Sequence, residues 1–188
     1  MSTAAPTVKN AVIRGKAKVY RRDHINTDEI IPARYLSTQS EAELARHAME
    51  DLDPGFGLRE SISDGSDGFF KFIVAGRNFG CGSSREHAVW ALRGAGVRCV
   101  IAESFSRIFF RNAVNNGFPV VEVKGACDFI NDNASLEVDL ANGEIINAST
   151  GKKLCFVPLS GFARKIIDSG GLMGLMETEN EKSKDSCD

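Results

Sequence analysis

Apolar and polar positions in the middle of the chain alternate between the periods of strand and helix. A continuous apolar run at residues 72–75 is typical of a buried strand, and apolar residues then recur at helical spacing over residues 84–95. The pattern repeats as a strand over 97–102, a helix capped by Ser104 and a strand over 118–123. A βαβαβ order of this kind implies parallel strands joined by right-handed crossovers.

The segments on either side of this unit predict further strands and helices. Residues 136–140 alternate apolar and polar, and Asn142-Gly143 separates them from residues 144–146, which is typical of a β-hairpin. The remaining predictions are a strand over 16–20, a helix opened by a capping box of Ser40 and Glu43, a strand over 153–157 and a helix over 160–167. Together these elements predict an α/β fold with a mixed, partly parallel central sheet flanked by helices.

The chain has 188 residues, enough for one domain with a substantial core, and its composition divides it into three parts. We expect residues 1–10 to form a flexible N-terminus and residues 11–172 to form the folded domain. Residues 173–188 are predicted to be a disordered C-terminal tail, because the last residues are charged and nearly free of apolar side chains.

Charge and hydropathy argue against several classes of function. The net charge of −2 gives no basic field for nucleic acid. No apolar run approaches the ~20 residues that span a bilayer, and the first residues lack the pattern of a secretory signal. We therefore expect a cytoplasmic chain with no nucleic-acid partner and no membrane partner.

The five cysteines are widely spaced and include no Cys-x-x-Cys pair. This spacing argues against a zinc site or an iron–sulfur cluster held by this chain alone, so no metal ligands are predicted. Cys99 lies in an apolar run and is predicted to be a small core residue. Cys81 lies in a glycine-rich turn, but without a sulfur partner nearby it is interpreted as a packing residue rather than a ligand.

That turn connects a predicted strand to the next predicted helix, and it carries the clearest chemistry of the chain. From Asn78 to His87 it reads NFGCGSSREH. A strand-to-helix turn directs backbone N–H groups and the positive end of the helix dipole toward one point, which suits a small anion. Ser83, Ser84 and Arg85 add two hydroxyls and a forked cation at the same place.

The same residues also allow a purely structural interpretation. Ser83 and Glu86 have the spacing of a capping box, in which both side chains bind free N–H groups at the start of an ordinary helix. The two glycines of the turn favour a binding site, because they permit close approach of the backbone. Arg85 and His87 favour one as well, since the helix dipole opposes a cation in the first turn unless something negative is bound there.

Three segments of the chain together resemble one known family. They are residues 78–87, residues 26–33 with the sequence NTDEIIPA, and residues 103–109 with the sequence ESFSRIF. The combination is similar to the swivelling domain of the aconitase superfamily and, within it, to the separate small subunits of 3-isopropylmalate dehydratases. The resemblance covers residues 10–172 and implies a swivelling β/β/α domain.

The resemblance implies a hydro-lyase (a carbon–oxygen lyase) that is active only with a second, large subunit. The large subunit would bind a [4Fe–4S] cluster with one iron open to substrate, and this chain would supply the other half of the active site. The implied reaction is the dehydration and rehydration of a small hydroxy-dicarboxylate, interconverting 2- and 3-isopropylmalate in leucine biosynthesis.

The resemblance also implies roles for individual residues. Ser83 would act as the base in its alkoxide form, stabilised by Arg85 and the N–H groups of the turn. Ser84 and Arg85 would bind a substrate carboxylate, with Arg85 offering two parallel hydrogen bonds. Asp28 would order the site or pair with a cation there; the alternative is an Asx turn before a strand.

Four further residues are predicted to support the site: Gly82, Thr27, His87 and Arg107. For His87 the alternative is a core histidine that points inward from the first helical turn. For Arg107 the alternatives are an anion-binding residue and a cation that only pairs with an acid.

In the family, the loop after Arg34 faces the variable part of the substrate, so Tyr35, Leu36 and Ser37 are expected to bind it. Relatives whose substrate has an extra carboxylate tend to place an arginine at the position of Ser37. The neutral serine favours an uncharged substituent such as isopropyl, because a buried carboxylate without a partner is costly. Dimethylmalate or methylmalate dehydratases are alternatives, and so is homoaconitase if Arg34 turns toward the substrate.

Two functions outside this enzyme family would use the same turn. One is a non-catalytic module that binds an anion such as a phosphate or a nucleotide, although the spacing matches neither the Walker pattern nor Gly-x-Gly-x-x-Gly. The other is a swivelling carrier domain of the phosphohistidine type. That function needs an exposed histidine at a helix start, and His87 lies four residues after Ser83.

Overall fold

A single seven-stranded sheet forms the centre of the structure, a computed structural model that describes residues 12–56 and 70–185. The strands are β1 (Val12–Tyr20), β2 (Phe70–Ala75), β3 (Cys99–Ala102), β4 (Val120–Glu122), β5 (Ser135–Asp139), β6 (Glu144–Asn147) and β7 (Lys153–Cys155). They lie in the order β4-β3-β2-β1-β5-β6-β7. The first four pair parallel, whereas β5 pairs antiparallel with β1 and the hairpin continues antiparallel to β7.

Helices connect the parallel strands and cover the sheet. They are α1 (Thr27–Ile30), α2 (Glu41–Arg46), α3 (His87–Gly94), α4 (Arg107–Asn115), α5 (Ala126–Phe129), α6 (Gly161–Asp168) and α7 (Leu172–Asp185), with a 3-10 turn at Ala33–Tyr35. Among the described residues, no helix is both long enough and apolar enough to cross a membrane.

Successive residues of the central strands point into two separate cores. Ile73 and Val100 pack with residues of α2, α3, α4 and α6 on one face of the sheet. Phe72 and Cys99 pack on the other face with the α5 region and the hairpin strands. Since β2 and β3 are covered on both faces, they are almost continuously apolar, which explains why the sequence pattern indicated buried strands.

The fold predicted from the sequence is confirmed: it is α/β, with a mixed sheet that is parallel on one side and flanked by helices. The parallel βαβαβ unit and the hairpin both form. Cys99 is a core residue with no exposed surface.

Residues 173–188 were predicted to be a disordered tail, and the structure has helix α7 continuing through this range to Asp185. Leu175, almost fully buried, packs with the first core, and Leu172 packs against it. The following glutamates and lysines are favourable helix formers, so this apolar anchor is enough to start a helix that composition alone did not indicate. Residues 1–10 and 186–188 lie outside the described residues, and the domain limits at 11 and 172 stay a prediction.

The strands β1 and β2 are parallel neighbours, so their carboxyl ends meet at one edge of the sheet. The segment that leaves β1 contains α1, and the segment that leaves β2 is the glycine-rich turn before α3. Polar side chains of the two segments therefore lie close together, as expected at the carboxyl edge of a parallel sheet.

Candidate functional site

The three segments that carried the family resemblance meet at this edge of the sheet. The turn after β2 forms one isolated β-bridge with each of its two neighbouring segments. Cys81 pairs with Asn26, and Phe79 pairs with Phe105. On one side, the N–H of Gly80 donates to the carbonyl of Ile25 at 2.8 Å. Similar bonds join the turn to the start of α4 on the other side. Backbone pairing thus fixes the turn between two loops that are distant in sequence.

Both glycines of the turn have backbone conformations that favour glycine. Gly80 has a φ of +71°, and a Cβ atom there would collide with the ring of Phe109. Gly82 has a φ of +100°, and its Cβ position would lie 3.3 Å from the hydroxyl oxygen of Thr27. Atoms of the protein itself therefore approach both glycines closely, and the use of these glycines by a bound ligand stays a prediction.

Ser83 lies directly against Thr27. The Oγ of Ser83 is 3.2 Å from Oγ1 of Thr27, and the backbone N–H of Ser83 donates to the same Oγ1 at 3.2 Å. Thr27 is buried, with 1% of its surface exposed, while Ser83 is half-buried. The serine hydroxyl accordingly contacts a buried hydroxyl, while the residue itself is partly exposed.

The capping-box interpretation of Ser83 is wrong. Helix α3 begins at His87, its N-cap is Glu86, and no side chain bonds to its first N–H groups. Ser83, Ser84 and Arg85 precede the helix rather than form its first turn. The hydroxyl of Ser83 bonds instead to a threonine 56 residues away, a tertiary contact that local spacing does not indicate.

Arg85 forms an ion pair with Asp28 through its Nη1 atom. Asp28 is not the residue that caps α1: the side chain of Asn26 accepts from the N–H of Glu29, and Glu29 accepts from the N–H of Asn26. Of the interpretations of Asp28, the structure therefore shows the pairing with a cation and not the Asx turn. The Arg85 side chain is 23% exposed, and its other nitrogens can donate to a ligand.

Ser84 is exposed and its backbone carbonyl accepts from the side-chain amide of Asn112 at 3.1 Å. Sequence reasoning did not identify Asn112, because nothing in α4 marks it apart from other polar positions. Helix α4 is also capped differently from the prediction. Ser106 is its N-cap, whereas the hydroxyl of Ser104 accepts from the N–H of Asn78.

The structure does not bring His87 or Arg107 into contact with Ser83. His87 is half-buried and its ring packs at a tilt against Trp90, with centroids 4.9 Å apart. It is neither a buried core histidine nor an exposed one. Arg107 is exposed on α4 and has no ion pair with any residue that the structure describes, so the acid-pair alternative is not what is observed.

The predicted substrate loop starts at Tyr35, seven residues after Asp28 and at the last residue of the 3-10 turn Ala33–Tyr35. Tyr35 and Leu36 are half-buried, and Ser37 is exposed. Arg34 is the residue that would have to turn toward the substrate for homoaconitase activity. It is instead bound by two acids: it donates two hydrogen bonds to Asp51 and one, at 2.7 Å, to Glu50. It therefore turns toward the end of α2.

The cysteines of the described part of the chain do not form a ligand set. Cys99 is buried in β3, Cys127 is buried in α5, and Cys155 is exposed in β7. No group of three potential metal ligands occurs among residues 12–56 and 70–185. Cys81 is half-exposed beside the site, its Sγ lies 3.5 Å from the carbonyl of His24, and burial raises the pKa of its thiol, which keeps it protonated.

Two residues near the turn have a left-handed backbone although neither is glycine. His24 and Asn78 have φ values of 58° and 57°, and their side chains are hydrogen-bonded to each other at 3.0 Å. Such conformations persist where surrounding contacts fix them, and they cluster at functional sites. No sequence pattern indicated this pair.

Comparisons with known proteins show which family the chain resembles. The model of the aconitase C-terminal domain matches residues 65–125, which include the glycine-rich turn. The 3-isopropylmalate dehydratase small subunit 2 of Deinococcus radiodurans is 50% identical over 170 residues, covering 90% of this chain and 78% of its own length. Small subunit 1 of the same enzyme from Methanopyrus kandleri is 48% identical over 172 residues, covering 92% and 96%.

The fold is similar to a solved member as well. The crystal structure of 3-isopropylmalate dehydratase from Methanocaldococcus jannaschii superposes with a TM-score of 0.84 at 37% identity, covering 94% of this chain and 99% of that one. The predicted family is thus confirmed by sequence and by structure: the chain belongs to the small subunits of 3-isopropylmalate dehydratase, hydro-lyases of the aconitase superfamily.

Proposed function

We propose that this chain provides the proton-transferring half of an active site that interconverts 2- and 3-isopropylmalate, with Ser83 as the base. The observation that carries the proposal is the contact between the Ser83 hydroxyl and the buried Thr27 hydroxyl. A serine is a weak base at its ordinary pKa, so it requires neighbours that stabilise its alkoxide.

Thr27 is suited to this role because of how its own hydroxyl is used. Its oxygen already accepts a hydrogen bond from the backbone N–H of Ser83, and its O–H can donate to Ser83 Oγ. A hydrogen bond donated to the ionised form lowers the pKa of the group that receives it. Arg85 adds a positive charge next to the same turn, which favours the alkoxide further.

Ser84 and Arg85 supply the carboxylate-binding part of the site. Ser84 is exposed beside the base, and Asn112 fixes its backbone. Asp28 holds Arg85 through one nitrogen and leaves the rest of the guanidinium fork for a substrate carboxylate. The substrate carbon that loses its proton lies next to a carboxylate, so the base and the carboxylate site must be neighbours, and Ser83, Ser84 and Arg85 are consecutive residues of one turn.

The site on this chain is open and half complete, which supports a large subunit as the partner that covers it. The described cysteines and acids do not fit a cluster, so we place the [4Fe–4S] cluster on that subunit. Bound there, the cluster would supply a Lewis acid for the departing hydroxide. The residues of this chain bind the carboxylate, orient it and accept the proton at Ser83 Oγ. The cytoplasmic location stays a prediction.

The substituent of the substrate is expected to face Tyr35, Leu36 and Ser37. Arg34 is already neutralised by two acids, and Ser37 carries no charge, so this segment offers no free cation to an additional carboxylate. An uncharged isopropyl group fits this surface better than the carboxylate of a homoaconitase substrate.

The test is reconstitution of the chain with its large subunit under anaerobic conditions. The pair should interconvert 2- and 3-isopropylmalate, and Ser83→Ala should lower kcat by about 10²–10⁴-fold while the subunits still associate. Glu86→Gln, which alters an exposed neighbour, is the matched control and should retain activity. Turnover of Ser83→Ala within a few-fold of wild type would show that another group is the base.

A further inference from the structure

We propose that Glu50 is a positioning residue for substrate selection, because it fixes the segment 34–38 that presents Ser37 to the substrate. The inference rests on the proposed function in one respect, namely that this segment faces the substituent of the substrate. The structure supplies the remaining steps, which concern how the segment is held.

Glu50 binds three side chains at once. Its Oε1 accepts from Nη2 of Arg34 at 2.7 Å and from the hydroxyl of Tyr35 at 3.0 Å. Its Oε2 lies 2.5 Å from Nδ1 of His47. One carboxylate beyond the end of α2 thereby ties together two consecutive residues of the segment and one residue at the end of the helix.

The contacts also fix the ring of Tyr35. It stacks on the ring of His47 with centroids 3.6 Å apart and planes 9° apart, and the guanidinium carbon of Arg34 lies 4.8 Å from its centroid. Hydrogen bonds from His47 and Arg34 lower the pKa of Glu50 to about 2, so the residue is a carboxylate throughout the neutral range. Tyr35 is thus restrained both at its ring and at its hydroxyl.

A second anchor holds the other end of the segment. The hydroxyl of Thr38 donates to Glu43 at 2.7 Å and accepts from the N–H of Ser40 at 3.1 Å. Leu36 packs against the core between the two anchors. Ser37 is exposed, and its side chain bonds to no other residue in the described part of the chain.

This arrangement explains why Glu50 affects selectivity rather than chemistry. It contacts neither Ser83 nor Arg85, so its loss leaves the base and the carboxylate site in place. It does determine where Tyr35 and Ser37 lie, and it helps to hold the charge of Arg34 away from the substrate. Without Glu50, the segment should bind isopropylmalate less well and should discriminate less against a substrate with an extra carboxylate.

The experiment uses the enzyme reconstituted with its large subunit and two variants, Glu50→Gln and Tyr35→Phe. Each should raise KM for 3-isopropylmalate about tenfold, the effect of losing one hydrogen bond to a charged group, with kcat within about twofold. The kcat/KM ratio between 3-isopropylmalate and homocitrate should fall in parallel. The double variant should lose less than the sum, because both changes remove the same contact.

Glu137→Gln is the matched control. It removes a carboxylate from an exposed ion pair with Arg14 on the hairpin side of the sheet, at 3.1 Å, and should leave KM and selectivity unchanged. Tyr35→Phe keeps the stacked ring, so it remains informative if Glu50→Gln destabilises the fold. A fall in kcat at unchanged KM, or an unchanged selectivity ratio, would overturn the proposal.

Hydrogen exchange separates this proposal from the proposed function. Backbone amides of 34–38 should exchange faster in Glu50→Gln than in wild type or Glu137→Gln, whatever reaction the enzyme catalyses. Suppose that wild type and Ser83→Ala have the same turnover, while amide exchange of 34–38 is faster in Glu50→Gln. Ser83 is then not the base, but the positioning role of Glu50 is supported. If exchange in the segment is unchanged, the positioning role is excluded even when isomerase activity is present.

Discussion

Thr27 Oγ1 lies 3.2 Å from both the hydroxyl oxygen and the backbone nitrogen of Ser83. The threonine oxygen accepts a hydrogen bond from the serine N–H, and its own O–H can donate to the serine oxygen. The two residues belong to the segments that follow the parallel strands β1 and β2, and the bridge between Asn26 and Cys81 holds these segments together. A buried hydroxyl thus lies within hydrogen-bonding distance of the group that we propose to carry negative charge.

The first prediction concerns this hydroxyl. Thr27→Val keeps the shape of the side chain but removes the donor, so kcat should fall by about 10- to 100-fold, the effect of one hydrogen bond to a charged group. KM should change little, because the alkoxide is stabilised during the reaction rather than in binding. Thr27→Ser keeps the hydroxyl and should retain most of the activity in the same steady-state assay. Equal activity of the valine and serine variants would exclude a role for the hydroxyl.

Much of this fold could be predicted from the sequence because β2, β3 and the hairpin have clear local patterns. The start of α3 could not be predicted, because it depends on which group the Ser83 hydroxyl binds. The spacing of Ser83 and Glu86 favours a helix cap, whereas the hydroxyl of Ser83 binds Thr27, which is distant in sequence. Ser104 and Ser106 show the same limit, since either serine has the residue type of an N-cap and only the contact with Asn78 separates them.

The site was predictable as a set of segments but not as a set of contacts. The resemblance identified the three segments that meet, and the comparisons confirmed the family. The roles assigned to single residues stay predictions. The hydrogen bond between Tyr35 and Glu50 could not be predicted from the sequence, because no local pattern marks either position.

The second prediction concerns the ion pair of Arg85 and Asp28. Arg85→Lys keeps the charge but loses the guanidinium fork, so kcat/KM should fall by about 10- to 100-fold if the fork binds a substrate carboxylate. Asp28→Asn should raise KM by a smaller factor, because Arg85 loses the partner that orients it. Steady-state kinetics of both variants and their double variant measure the coupling. Strictly additive effects would show that Asp28 acts independently of Arg85.

The third prediction concerns the close approach of Gly80 to Phe109. Gly80→Ala combines an unfavourable φ with a collision against the ring, and it should lower the free energy of unfolding by about 2–4 kcal/mol. Gly151→Ala is the control: its φ of +68° is similar, but no atom lies within 4 Å of the added Cβ. It should cost about 1 kcal/mol in the same denaturant titration. Equal losses would mean that the contact with Phe109 does not matter.

The fourth prediction concerns stability in acid. The pKa of Glu50 is lowered from 4.5 to about 2 by its bonds to His47 and Arg34, and Arg77 lowers the pKa of Asp23. A carboxyl whose pKa is lower in the folded state binds fewer protons folded than unfolded. Its contribution is therefore fully present above its unfolded pKa and is lost as the pH falls toward its folded pKa. The melting temperature should accordingly fall between about pH 5 and about pH 2, and fall less steeply in Glu50→Gln than in wild type.

The control for this dependence of melting temperature on pH is Val114→Ala, which weakens the core without changing a titratable group. It should lower the melting temperature by a similar amount at every pH, so its curve runs parallel to that of wild type. Thermal unfolding followed by circular dichroism at several pH values compares the three proteins. If the curve of Glu50→Gln also runs parallel to wild type, the carboxylate is not held in its charged form by His47 and Arg34. The positioning role would then rest on the geometry of Tyr35 alone.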